Sequence, residues 1–215
     1  MTKHNREYSD TFFRLLFREP ARFCELYRAI NGVIEDDSSV REVTLEDVFH
    51  RNLRNDLAFS VDDRLVIFME HQSTPSPVMP LRMMQYAIET LISELDRSAL
   101  YGRKPVKMKA VEFYVFYHGM DKVPNVYALS SLMDLKKANN GSCFLDCNVN
   151  VIPVEFSQGH ESLSRSESLY GYSLFHSFVL EEIAAQLSIE DAIHEAVRRC
   201  RKKGVLVEFL DKHAL

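Results

Sequence analysis

The run Leu65-Val66-Ile67-Phe68-Met69 ends in a charged residue, Glu70, and no other junction constrains the chain so tightly. A nearly continuous apolar run of this length is expected of a strand buried on both faces. A carboxylate at its end is costly to bury unless it is paired or binds a cation. Glu70 and Gln72 are two residues apart, so they project from the same face. In the preceding segment Leu57, Phe59 and Val61 alternate with Asp56, Ala58 and Ser60, and Asp62-Asp63 marks the turn between the two strands. Asp56 and Glu70, on neighbouring strands, can together hold a hard divalent ion such as Mg²⁺ or Mn²⁺. Such an ion polarises a phosphodiester and lowers the pKa of an attacking water.

This reading makes a demand on strand register. If the loop were only Asp62-Asp63, Val61 would pair with Arg64, Asn55 would oppose Glu70, and Asp56 would face the wrong side. A three-residue loop, Asp62-Asp63-Arg64, pairs Asp56 with Glu70 on one face, so an odd-length loop or a bulge is expected. The competing reading pairs Glu70 with a buried arginine, Arg82, and makes Asp56 the cap of a turn.

Around this hairpin the pattern reads as helices at 8–18 and from Pro20 to Ile30, the second closed by Asn31-Gly32. A short strand is expected within 40–48, and strands at 54–61 and 64–73. A helix then starts at Pro80 and runs to about Leu100, with Met83, Ala87, Leu91 and Leu95 on one face. Val111–Tyr117 and 145–152 read as further strands. Helices at 163–186, 189–203 and 204–212 close the chain, with Ser188 and Asp191 as an imperfect capping box. The order predicts an α/β sandwich around a mixed sheet.

With 215 residues and 46% hydrophobic content, a single domain is expected, with a core at about 8–155 and a helical extension at about 160–215. No apolar run is long enough to span a bilayer, and the polar Met1–Glu7 lacks the apolar region of a signal peptide, so a cytoplasmic location without membrane partners is expected. Cys24, Cys143, Cys147 and Cys200 read as reduced thiols, because nothing completes a zinc site around Cys143 and Cys147. A net charge of −5 opposes phosphate binding globally, leaving local patches to provide it. One candidate is Arg198, Arg199, Arg201, Lys202 and Lys203. The same residues also suit the solvated last turn of a helix, where cations complement the helix C-terminus.

Several blocks resemble a known family. These are Asn55-Asp56-Leu57-Ala58-Phe59, Glu70-His71-Gln72-Ser73-Thr74, and Met79-Pro80-Leu81-Arg82 with Tyr86. The opening Tyr8–Phe17 and the later Phe113–Gly119 are similar to the same group. It is the Rpn-like recombination-promoting nuclease and putative transposase family of the PD-(D/E)XK superfamily, and the similarity runs from about residue 8 to 210.

The resemblance implies a restriction-endonuclease-like mixed sheet flanked by helices, and Mg²⁺-dependent cleavage of DNA linked to mobile elements, recombination or phage defence. It implies Asp56 and Glu70 as metal ligands, with the main-chain carbonyl of His71 as a third, and Gln72 where the wider superfamily usually has Lys. Gln can orient water but brings no charge. Asp10 is then either an auxiliary acidic residue or the N-cap of the first helix. Arg82 and Gln85 become candidates for phosphate contact, with neutralisation of the acidic cluster the other role open to Arg82. His118 stands where relatives often have Asn, and the chain ends soon after Glu208-Phe209-Leu210, earlier than many relatives. A homodimer would supply two active sites for cutting both strands. The missing Lys and the acidic charge keep a second expectation open: a nuclease-fold module with weak or no catalysis that binds DNA or protein.

Overall fold

The apolar strands pair into one mixed sheet, and a computed structural model describes residues 3–31, 34, 37–43, 56–95, 97–137 and 141–213 of the chain. Six strands are described: β1 (Val40–Glu42), β2 (Leu57–Val61), β3 (Leu65–Gln72), β4 (Ala110–Tyr117), β5 (Val126–Ala128) and β6 (Asn148–Pro153). They lie in the order β1-β2-β3-β4-β6-β5. β1 and β2, β2 and β3, and β5 and β6 pair antiparallel. The helices are α1 (Lys3–Phe17), α2 (Pro20–Asn31), α3 (Met79–Ser93), α4 (Glu161–Arg165), α5 (Glu167–Ala184), α6 (Ile189–Lys202) and α7 (Val207–His213). The fold is α/β, as the alternation of elements predicts.

The chain divides into two compact units, one of Ser38–Phe116 with Asp121–Ile152, the other of Met1–Asp37, Tyr117–Met120 and Pro153–Leu215. In the first unit, β2 and the centre of β3 are buried along their length, which is why β3 tolerates an unbroken apolar run. α3 begins with Pro80 in its first turn, where a missing N–H costs nothing. It lays Tyr86 against Phe68 with ring centroids 6.5 Å apart, and Phe68 also stacks on Phe113 at 5.8 Å.

In the second unit the apolar faces of α1 and α5 meet through aromatic rings, Phe12 stacking on Phe175 at 4.3 Å and Phe13 meeting Tyr172 edge-on at 5.4 Å. Ser166 ends α4 and caps α5, its hydroxyl accepting from Leu169 N–H at 3.0 Å. Glu25 of α2 then reaches the same helix start. It accepts from the Ser166 hydroxyl at 2.8 Å, from Ser168 N–H at 2.9 Å and from the Ser168 hydroxyl. Ser188 caps α6 by accepting from Asp191 N–H at 3.1 Å, the N-cap half of the expected capping box, and its hydroxyl donates to the Asp191 carboxylate at 2.7 Å. Gly204, at φ 71, closes α6 in a left-handed conformation that suits glycine.

Several boundaries differ from the sequence reading. α3 stops at Ser93 instead of Leu100, because Leu95 N–H turns to the carbonyl of Ile92 and the tighter turn ends the ladder. The helix expected over 163–186 is broken at Ser166, whose side chain takes the amide of the next helix. β5 has only three residues and no extended apolar alternation, so its pattern was too short to read. β6 and α7 start three residues later than expected, and β1 ends at Glu42, with 44–55 outside the described residues. All four cysteines are free thiols. No helix among the described residues is long and apolar enough to cross a membrane.

Burial raises the pKa of Glu25, but the hydrogen bonds from Ser168, Ser166 and Glu167 outweigh it and hold the carboxyl below its ordinary value of 4.5. A depressed carboxylate stabilises the fold above that value and loses its contribution as pH falls through the folded pKa. Glu25→Gln should therefore lower stability by about 1 kcal/mol at neutral pH. The gap to the natural chain should shrink as pH falls below about 4.5. Urea unfolding at a series of pH values checks this, and a gap independent of pH would contradict it.

Candidate active site

The hairpin register decides whether Asp56 and Glu70 can meet. Val61 pairs with Leu65 and Leu57 with Met69, so the loop is Asp62-Asp63-Arg64. Continued by one residue, this register sets Asp56 opposite Glu70, as the odd-length loop predicts. The sequence supplies the turn chemistry. Asp62 and Asp63 both adopt positive φ, 53° and 51°, a region that aspartate enters more readily than most residues. Arg64 N–H then closes the turn on the Val61 carbonyl at 3.0 Å.

Asp56 sits just before β2, half-buried, and its Oδ2 accepts a hydrogen bond from His71 N–H at 2.9 Å. The N–H and C=O of one strand residue point toward the same neighbour, so the His71 carbonyl also faces the β2 side. The His71 ring, 2% exposed, lies on the opposite face of β3 from Glu70 and Gln72.

Glu70 is 2% exposed. Its Oε2 accepts from Arg82 Nη2 at 3.1 Å and from Gln72 Nε2 at 3.3 Å. Arg82 also reaches the Tyr86 hydroxyl at 3.3 Å, one helical turn along α3. The other oxygen, Oε1, is buried with no hydrogen-bond partner. Burial, and then the neighbouring charge of Asp56, push the Glu70 carboxyl up to about 8 against the opposing pull of Arg82. The ion pair of the competing reading is therefore present, yet it satisfies only one of the two oxygens.

A buried carboxyl oxygen without a hydrogen-bond partner, in a group that feels the charge of a second carboxylate, has the donor chemistry that a cation would complete. Among the described residues no three His, Cys, Asp or Glu side chains form a metal-ligand group. Two carboxylates fit Mg²⁺ in particular, because that ion usually keeps several waters and takes only one or two carboxylates from protein.

The remaining candidates lie elsewhere. Gln85 is exposed on α3 and donates to Glu89 at 3.3 Å. Asp10 is on α1, in the other compact unit, well inside the helix, so it does not serve as its N-cap: the helix begins at Lys3, before the Tyr8 block where the sequence places its start. His118, also in that unit, is buried with its ring 4.5 Å from that of His176.

In the basic cluster of α6 the arginines are held by carboxylates. Arg198 pairs with Glu195 at 2.8 Å, Arg199 with Glu181 at 2.7 Å and Glu182 at 2.8 Å, and Arg201 with Asp211 at 2.8 Å. Arg199 also lies 3.8 Å over the Phe178 ring. Lys202 and Lys203 remain exposed. The sequence reading did not single out Lys109, which donates to the Ser60 hydroxyl at 3.2 Å and to Glu94 at 2.8 Å. The signal was available in the acid-free basic run that precedes β4.

Removing Arg82 takes away the largest pull toward the ionised form of Glu70 and drives its buried carboxyl further toward the neutral acid. The Arg82 side chain is 39% exposed, so solvent screens the pair, and Arg82→Met should cost about 1–3 kcal/mol, less than for a fully buried pair. The double variant Arg82→Met/Glu70→Gln should recover most of that loss. Chemical denaturation of the single and double variants measures the coupling, and equal losses in both would place the cost outside the ion pair.

No curated protein and no solved structure matches the chain. Residues 46–143 match the family model described as Putative transposase, YhgA-like, in agreement with the Rpn-like resemblance carried by the Asp56, Glu70 and Arg82 motifs.

Proposed function

We propose that this chain is a metal-dependent DNA endonuclease that hydrolyses phosphodiester bonds. The observation that carries the reading is Glu70, sealed in the sheet with one carboxylate oxygen unpartnered and Asp56 opposite it in the register. The family match supports a link to mobile elements; recombination or phage defence is a proposed alternative setting.

Asp56 and Glu70 would hold Mg²⁺, or Mn²⁺ in its place, with the His71 carbonyl as a third ligand. The chemistry supplied by such an ion is polarisation of the phosphodiester and a lowered pKa for the attacking water. Gln72, on the Glu70 face, donates its amide N–H to Glu70, and its carbonyl oxygen can accept from a water and orient it. Arg82 brings a fixed positive charge beside Glu70, where the negative charge of a phosphate would gather. In the hydrolysis the water oxygen would bond to phosphorus and the bond from phosphorus to the leaving oxygen would break. The water proton would pass to solvent or a phosphate oxygen, and the leaving oxygen would take a proton from solvent. Arg82 and Gln85 are the proposed phosphate contacts of α3, and Lys202 and Lys203 the exposed cations of α6.

Plasmid cleavage in Mg²⁺, Mn²⁺ or EDTA tests the proposal. The natural chain should nick or linearise DNA only with a divalent ion, and Asp56→Ala and Glu70→Ala should each lose on the order of 100-fold or more. Mg²⁺ at a hundredfold over its Kd should also add about 2.7 kcal/mol to the stability of the natural chain and not to that of Glu70→Ala. Cleavage surviving both substitutions would reject the site. DNA binding with no cleavage in either metal would favour the second reading, a non-catalytic module, which the uncharged Gln72 supports.

A further inference from the structure

Between α3 and β4, after Glu94 and Asp96, residues 97–109, Arg-Ser-Ala-Leu-Tyr-Gly-Arg-Lys-Pro-Val-Lys-Met-Lys, contain no carboxylate in a chain of net charge −5. Arg103, Lys104 and Lys107 are exposed, and none of them pairs with a carboxylate among the described residues. They differ in this from Arg198, Arg199 and Arg201, whose guanidinium groups are already taken. Tyr101 stands 91% exposed beside them. A large aromatic left in water next to uncompensated cations has the chemistry of a nucleic-acid surface, in which cations meet phosphates and a ring stacks on a base.

The segment is fixed to the sheet at its end. Lys109 holds Ser60 and Glu94, with Asp63 at 3.7 Å, and Ala110 N–H bonds the Arg64 carbonyl at 2.8 Å. Ser60 shares its face of β2 with Asp56, four residues away, so Lys109 sits over the face that carries the candidate site. Four residues of strand span about 13 Å. That is about four base steps at 3.4 Å each along one DNA strand. Phosphates flanking a scissile bond at Asp56 and Glu70 would thus run toward Lys109, the point where this segment is anchored.

We infer that residues 101–107 form a DNA-contacting loop, with Arg103, Lys104 and Lys107 on phosphates and Tyr101 stacking on an unpaired base. The inference rests on the nuclease reading for the choice of DNA as partner, but its test does not depend on cleavage. Binding of a fluorescein-labelled duplex of about 20 base pairs, and of its single strand, is measured by anisotropy in EDTA between about 50 and 200 mM salt. For Arg103→Ala/Lys104→Ala/Lys107→Ala, affinity should fall at least about tenfold and the slope of log K against log salt should drop by about 2.7. The charge-conserving Arg103→Lys/Lys104→Arg/Lys107→Arg should bind as the natural chain does. Tyr101→Ala should weaken single-strand binding about fivefold or more.

Unchanged affinity and slope in the triple alanine variant would overturn the loop while leaving the nuclease reading standing. Glu70→Ala that binds normally but does not cut would leave both intact. Loss of binding in the charge-conserving variant would also overturn the inference. So would binding to phosphatidylserine vesicles in place of DNA, since exposed Leu100 and Met108 beside the same cations could serve a lipid surface.

Discussion

Burying the Glu70 carboxylate at the end of an apolar strand imposes conditions that much of its surrounding unit meets. Taking a carboxylate out of water costs several kcal/mol even after relaxation. Arg82 offsets part of that cost through Oε2, and it can do so because α3 starts at Met79, runs over the even-numbered face of β3, and stacks Tyr86 on Phe68. Tyr86 in turn accepts from the same guanidinium through its hydroxyl. The ion pair, the helix start and the aromatic contact therefore depend on each other. What they leave unmet is Oε1, and a carboxylate kept buried with one oxygen unsatisfied makes sense where a cation or substrate completes it.

Register is the second condition, and it is set at the other end of the hairpin. Strand side chains alternate, so a slip of one residue would carry Asp56 to the face opposite Glu70. The turn resists that slip by placing two consecutive aspartates at positive φ and leaving Arg64 as the extra residue. Five residues, Leu65 to Met69, separate the turn from Glu70, yet the turn's geometry determines which side chains share a face. A site on rigid paired strands is held more tightly than one on loops. The hydrogen bond from His71 N–H to Asp56 locks the second carboxylate to the same strand that bears the first.

The sheet and the carboxylate pair were legible in the sequence because they rest on period-two alternation and on one charge that breaks an apolar run. The register was legible for the same reason, since only an odd loop lets Asp56 and Glu70 coexist on a face. Helix ends were less so. The stop of α3 at Ser93 carries no glycine or proline within it, and the break at Ser166 is a contest between a hydroxyl and the backbone that composition does not display. The position of Asp10 within α1 was misjudged because the polar residues before it lack an apolar stripe to mark a helix. The taken state of Arg199 and Arg201 was hidden because Glu181, Glu182 and Asp211 meet them only through tertiary packing, whereas Glu195 stands three residues before Arg198 on the same helix.

The absence of a lysine at position 72 looks different once Arg82 is placed. An amide on β3 brings a donor and an acceptor but no charge. The positive charge arrives from α3 instead, 3.1 Å from Glu70 and partly exposed, so it can face an incoming phosphate while still countering the buried carboxylate. A guanidinium is never neutral in protein, unlike a lysine amine, which can lose its proton when buried beside a metal. Under the proposed nuclease reading, the arrangement would separate two tasks that one lysine would combine, with orientation of water left to Gln72 and charge stabilisation left to Arg82. A division of this kind would keep charge at the site without asking any residue on the strand to deprotonate, and under the same proposal it would leave solvent or the phosphate itself to accept the proton.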